Sequence, residues 1–213
     1  MNFGRAFSYI FQDQEWFKKI LLPALCMLIP IVGWMVALGW ALKVTQNLIN
    51  GTGEPLPDLN FGDDILRGFF AFLISFVYSL PVSLISSLSG WIGNWSWFGS
   101  DTGWIVSGFV GGILGILSLL LGIIGSFLSL GGIANFLLNN DFGAAFRLKE
   151  VIDLLKSNFG DWVIVVLGTL LAVGVIGPLG TAACVVGVVL TLTYGLVVTA
   201  HLLGQATVCS QKK

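Results

Sequence analysis

Residues 108–132 read GFVGGILGILSLLLGIIGSFLSLGG, and the reading of this run decides the fold. It holds no charged residue and exceeds the ~18 apolar residues that mark a helix able to cross a bilayer. Small residues recur at Gly108, Gly111, Gly115, Ser118, Gly122, Gly125, Ser129 and Gly132, in alternating steps of three and four. The phase is unbroken, so the run predicts one continuous helix with a smooth stripe on one side. Glycine in an exposed helix costs about 1 kcal/mol relative to alanine. In a membrane, Gly and Ser instead let two helix backbones approach closely.

Working outward, the whole chain shares this character. It has 213 residues, 56% hydrophobic and 10% charged, where soluble domains carry about 25% charged residues. The expectation is an all-α polytopic transmembrane helix bundle forming a single integral membrane domain over 1–213. A net charge of -1 gives no electrostatic footprint for nucleic acid. Cys26, Cys184 and Cys209 form no CxxC or metal spacing and read as small hydrophobes. No cleavable signal-peptide pattern is evident at the N-terminus.

The run has a predicted partner in the span before it, 66–89. There Gly68, Ala71, Ser75, Ser79, Ser83, Ser86 and Gly90 form a second small-residue stripe. Spans 66–89 and 104–138 are joined by a short aromatic interfacial loop with Trp91, Trp95 and Trp97. They are therefore expected to be a close-packed antiparallel pair. The rival reading is a polar-lined path for a small neutral molecule between them.

Two amphipathic segments flank the spans. In 2–12, Phe3, Ala6, Phe7, Ile10 and Phe11 share one helical face. In 144–157, Leu148, Val151, Ile152 and Leu155 do so, with Asp141 placed to cap. Both predict short helices lying in the membrane interface. Trp16, Lys18, Lys19 and Trp162 mark membrane boundaries. Each amphipathic helix precedes an apolar segment, 17–49 broken at Pro30 and Gly33, and 161–204 broken at Gly177-Pro178. This is an internal echo of the chain's two ends.

Charge placement decides between a kinked span and a hairpin at 17–49. If both broken segments are hairpins, the chain crosses six times and all ten basic residues fall on one side. The five-span alternative splits them. Six spans are thus expected, with both termini cytoplasmic in the inner (cytoplasmic) membrane. The first two helices would be roughly 16 residues, or ~24 Å, and short for a bilayer.

No Asp, Glu, Lys or Arg lies inside a proposed span, which argues against ion-coupled transport. No Ser-His-Asp set, HExxH or phosphate loop is present. The chain is therefore read as no enzyme, with no metal and no cofactor. His201, the one histidine, is a weak candidate for a pigment or haem ligand; packing and hydrogen bonding is the plainer reading. Asp58, Asp63 and Asp64 read as turn and cap residues, with Asn60 and Asp63 as a capping pair.

Trp16, Lys19, Pro30, Gly39, Leu56, Pro57, Phe61, Gly62 and Gly68 carry a resemblance. Through LIPIVGWMVALGW and LPDLNFGDDILRG the chain resembles an uncharacterised prokaryotic multi-pass membrane protein family, domain of unknown function 4013. The resemblance implies a multi-pass membrane domain and no activity. The expected role is structural: a scaffold or accessory subunit of a membrane complex, or an organiser of membrane shape. The expected partners are the lipid bilayer and other membrane subunits or a second copy. The alternatives are a transporter or channel for a small neutral or apolar solute and, more weakly, a pigment- or quinone-binding subunit.

Overall fold

The computed structural model describes residues 2–52, 56–94 and 101–211. Trp95 and Trp97, expected at the interface, lie outside the described residues, as do Lys212 and Lys213. Among the described residues all regular structure is helical: α1 (Phe3–Ser8), α2 (Trp16–Cys26), α3 (Val32–Asn50), α4 (Phe61–Asn94), α5 (Asp101–Asn139), α6 (Leu148–Ser157), α7 (Phe159–Thr169), α8 (Gly177–Leu179) and α9 (Cys184–Gln211). Among the described residues, four stretches are long and apolar enough to cross a membrane: Phe61–Ile92, Ser107–Asn139, Phe159–Ala182 and Val186–Gln211.

Helices α2 and α3 form a hairpin. Its turn places Ile31 at φ 66 and sets Gly33 against the Cys26 carbonyl, where a side chain would collide with backbone. With 11 and 19 residues they measure about 16 and 28 Å, short of the ~30 Å hydrocarbon core. Two helices joined by a tight turn thus occupy the segment 17–49, and neither is as long as a full span.

The last hairpin turns later than expected. Gly177-Pro178 does not end the helix. A π-helical stretch, Leu170–Ile176, precedes it, and the chain reverses at Cys184, whose φ is 58. Proline frees backbone groups that a membrane cannot solvate. Here the neighbouring Gly177 carbonyl accepts a 2.7 Å hydrogen bond from the Thr191 hydroxyl of α9, which ties the irregular stretch into the bundle.

Helix α9 packs against α1, α2, α3 and α7. Thr45 of α3 donates to the Ala200 carbonyl at 2.7 Å, and Tyr194 donates to the Phe7 carbonyl at 3.0 Å. Asn2 N–H donates to Gln205 at 2.7 Å, so the start of the chain is tied to the end of α9. The two short segments lie against the bundle as well as outside it. Ala6 and Ile10 are fully buried while Phe3 and Phe11 are exposed; Val151 and Leu155 are buried while Leu148 is exposed. The segment 144–157 is not one helix. A 3₁₀ turn, Phe142–Phe146, is capped by the Asp141 carboxylate accepting from Gly143 N–H, and Arg147 at ψ 78 separates it from α6.

Candidate functional site: the charged end and the helix seam

Most described charged side chains gather where α2, α4 and α7 begin and α3, α5 and α9 end. The segment LPDLNFGDD, 56–64, lies across this end as a strap. A buried loop must find partners for its carbonyls, and three consecutive ones are taken by side chains from the first hairpin. Lys19 Nζ donates to the Leu56 carbonyl at 2.9 Å, Trp40 Nε1 to Pro57 at 2.8 Å and Lys43 Nζ to Asp58 at 3.1 Å. Trp40 is fully buried.

Two carboxylates complete the clamp. Asp64 is fully buried, 2.7 Å from Lys43 Nζ, and accepts the Asn60 N–H at 2.8 Å. The expected Asn60–Asp63 capping box does not form: Asp64 rather than Asp63 accepts the Asn60 N–H, and Asn60 Nδ2 donates to the Asp63 carboxylate side chain to side chain at 2.6 Å. Asp13 accepts from Lys19 Nζ at 2.9 Å and from the Glu15 amide at 2.8 Å. Burial alone would raise the Asp13 carboxyl. The Lys19 hydrogen bond, the Glu15 amide and the Lys19 charge outweigh it and hold the group below the usual carboxylate range. Beside it, burial and then the Asp13 charge push the Tyr9 hydroxyl up to about 12.

Below the strap α3 and α4 cross in backbone contact. A Cβ on Gly39 would collide with the Asp64 carbonyl, and one on Gly68 with the Met35 carbonyl. Only glycine at both positions allows this crossing.

The α4–α5 seam differs. Gly111, Ser118, Gly122 and Gly125 are partly covered and Gly108 and Gly115 exposed, yet a Cβ on Gly108, Gly111, Gly115 or Gly122 would meet nothing within 4 Å. The helix pair exists, but Gly108 and Gly115 are not in its contact. Gly122 and Ser129, seven and fourteen residues beyond Gly115, lie on the same line and do face α4, so the line opens toward the outer end. The seam tightens toward the charged end, where a Cβ on Gly125 would lie 3.1 Å from the Tyr78 carbonyl and one on Gly132 2.8 Å from the Tyr78 ring. Between lies a cavity of about 360 Å³ lined by Ser75, Tyr78, Ser79, Gly122, Gly125 and Ser129 among others. Its hydroxyls have partners: Ser129 donates to Ser75 at 3.0 Å, Tyr78 to the Ala145 carbonyl at 2.7 Å and Ser79 to Phe76 at 2.8 Å. Ser83 bonds its own helix, at the Leu80 carbonyl, and Ser118 Oγ is enclosed without a partner.

The remaining expected residues divide. Phe7 is partly buried and packs beside Phe3. Lys18 is exposed near Glu15, and Trp91 is exposed near the far end of α4. Trp16 packs partly on the core, edge-on to Phe11. Trp162 departs from its interfacial assignment. It is fully buried, and its indole N–H reaches the Leu154 carbonyl and Ser210 Oγ. The end of α9 folds over it, which nothing local to Trp162 foretells. Lys19, expected to mark the membrane boundary, is held by the Asp13 carboxylate and the Leu56 carbonyl. His201 is buried against the Tyr9 ring, centroids 4.2 Å apart, with Nδ1 2.9 Å from Gln205 Nε2. Among the described residues no three His, Cys, Asp or Glu side chains are grouped to hold a metal ion.

Sequence reasoning missed the Lys43–Asp64 pair, the Trp40 bond and the buried Asn135, which donates to the Ala144 carbonyl at 2.8 Å and to Glu150 at 3.1 Å. The signal was present: Lys43 is the one charge within a long apolar helix, and Asn135 is an amide inside the apolar run of another, one turn before Asn139.

Helices of this length and apolarity, packed with their charges at one end, define a multi-pass α-helical membrane protein. The sequence profile of a family described as protein of unknown function (DUF4013) matches residues 22–186, more than half of the chain. The chain belongs to that family. No curated protein and no solved structure matches it.

Proposed function

We propose that this protein is a non-enzymatic structural component of the membrane, either an accessory scaffold of a complex or an organiser of bilayer shape. The observation that supports this reading most is the distribution of mass along the bundle. The short α2–α3 hairpin and the segments around α1 and α6 thicken the charged end, while α4 and α5 extend far past them. A body wider in one leaflet favours curvature toward the other. In this reading the charged end, with both termini, faces the cytoplasm, which the positive-inside rule supports, and the membrane is the inner one.

The test is gentle-detergent purification with mass spectrometry of co-purifying proteins, paired with reconstitution into liposomes. A fixed stoichiometric partner or concentration-dependent tubulation is expected. A protein that leaves vesicles spherical and carries no partner refutes the reading. Orientation is checked with Asp58→Cys in a background lacking the native cysteines, since Asp58 is 93% exposed on the strap. Labelling from outside the cell alone would overturn the assignment.

A second reading, a path for a small neutral solute, is favoured by the seam cavity. Flux of small polyols into proteoliposomes, lost in Gly122→Leu, is the outcome expected from it.

A further inference from the structure

Behind the strap, a second cavity of about 300 Å³ opens between the end of α3, the start of α4 and the end of α5. Its rim is polar, with Gln46, Asp63, Arg67 and Asn140; its floor is aromatic, with Phe70 and Phe136 edge-on at 5.9 Å. Gln46 Nε2 donates to the Asn140 side-chain oxygen at 3.0 Å, which fixes one wall.

The charges on the rim are unevenly matched. Lys43 takes the buried Asp64 carboxylate at 2.7 Å; Arg67 stands 3.7 Å from the same group. Arg67 Nη1 is enclosed and makes no hydrogen bond. Two cations thus share one carboxylate, which leaves guanidinium N–H groups unused. An enclosed, unsatisfied charged donor is costly unless something accepts from it. One turn earlier on the same helix face, Asp63 is exposed, held through one oxygen by Asn60.

We infer that this cavity binds the headgroup of an aminophospholipid, with the phosphate on Arg67, the primary ammonium on Asp63 and the glycerol end over Phe70 and Phe136. The charge order selects this occupant. A bare phosphate or an anionic lipid meets the repulsion of Asp63. A quaternary ammonium has no N–H to donate to its carboxylate. The cavity lies at the charged end, at the depth where headgroups sit, and its polarity falls toward the bundle as an amphiphile's does. Pockets between membrane helices with a basic residue at this level suit lipid headgroups.

The test uses the full chain in detergent, titrated with short-chain phosphatidylethanolamine, phosphatidylcholine and phosphatidylglycerol of one acyl length, with binding read by native mass spectrometry. Phosphatidylethanolamine is expected to bind tightest. Arg67→Gln, which removes a charge-assisted contact, should weaken it about tenfold. Asp63→Asn, at an exposed position that leaves the fold intact, should invert the order and place phosphatidylglycerol first. Equal binding of phosphatidylethanolamine and phosphatidylcholine by the native chain would overturn the inference, as would an unchanged order in Asp63→Asn. Inorganic phosphate that binds through Arg67 and is not displaced by phosphatidylethanolamine would assign the cavity to a free anion and overturn the lipid.

Discussion

Two pairs of helices in this protein are rich in glycine, and they use it in opposite ways. At the α3–α4 crossing, Gly39 and Gly68 each face the other helix's backbone, and neither has room for a methyl group. In the outer part of α5, Gly108, Gly112 and Gly115 face open space. The first pair is flanked by a clamp of Trp40, Lys19 and Lys43 that fixes the strap and so fixes where α4 begins. The second has no third element to press it closed. Small residues grant the capacity for close approach; a neighbouring constraint decides whether the approach occurs.

The largest effect expected from this contrast is at the closed crossing. Gly68→Leu should cost about 3 kcal/mol or more, because it drives a side chain into the Met35 carbonyl. Thermal unfolding in detergent checks this, and a melting temperature within a degree or two of the native value would abolish the comparison. Next comes the clamp. Lys43→Met strands the buried Asp64 carboxylate and should cost about 3 kcal/mol. The double variant Lys43→Met/Asp64→Asn should recover part of that loss; an additive loss would mean the two side chains act separately.

A smaller effect concerns pH. Asp13 has a folded pKa below its unfolded value, so its pairing with Lys19 contributes stability that is full above about pH 4 and fades as pH falls through the folded pKa. Melting temperatures of the native chain and Asp13→Asn should therefore differ at pH 6 and converge in acid. A gap that widens on acidification would reverse the sign. The smallest effect is in the open seam. Gly115→Leu should change stability by no more than about 0.5 kcal/mol, whereas a large loss would show that a second copy or another subunit covers this face.

Much of the architecture could be read before any coordinates. Continuous apolar runs, the break at Pro30–Gly33 and the Asp141 cap are local signals, set within a few residues. The candidate site was less legible. Trp16 and Trp162 look alike in sequence, beside acidic residues at the head of apolar runs, yet Trp162 is buried because the remote α9 end covers it. Lys19 reads in sequence only as a boundary cation; that it binds a carbonyl 37 residues away is visible only in the fold. The stripe from Gly108 to Gly132 is continuous in sequence, and spacing alone does not say that it closes on α4 only toward Gly125 and Gly132. Pro178 marked a break, but the Thr191 hydroxyl and a π-helical stretch carried the helix past it.

By itself the sequence determined the solvent and the class of fold. With so few charges and apolar runs that continue for about 18 residues or more, helices are what satisfies this backbone inside a bilayer. It also determined where the helices could touch closely, since a missing side chain is a local property. The tertiary structure alone decided which of those places closed. Contact between helices depends on where remote segments are held, and here three carbonyls of the strap, caught by Lys19, Trp40 and Lys43, hold them.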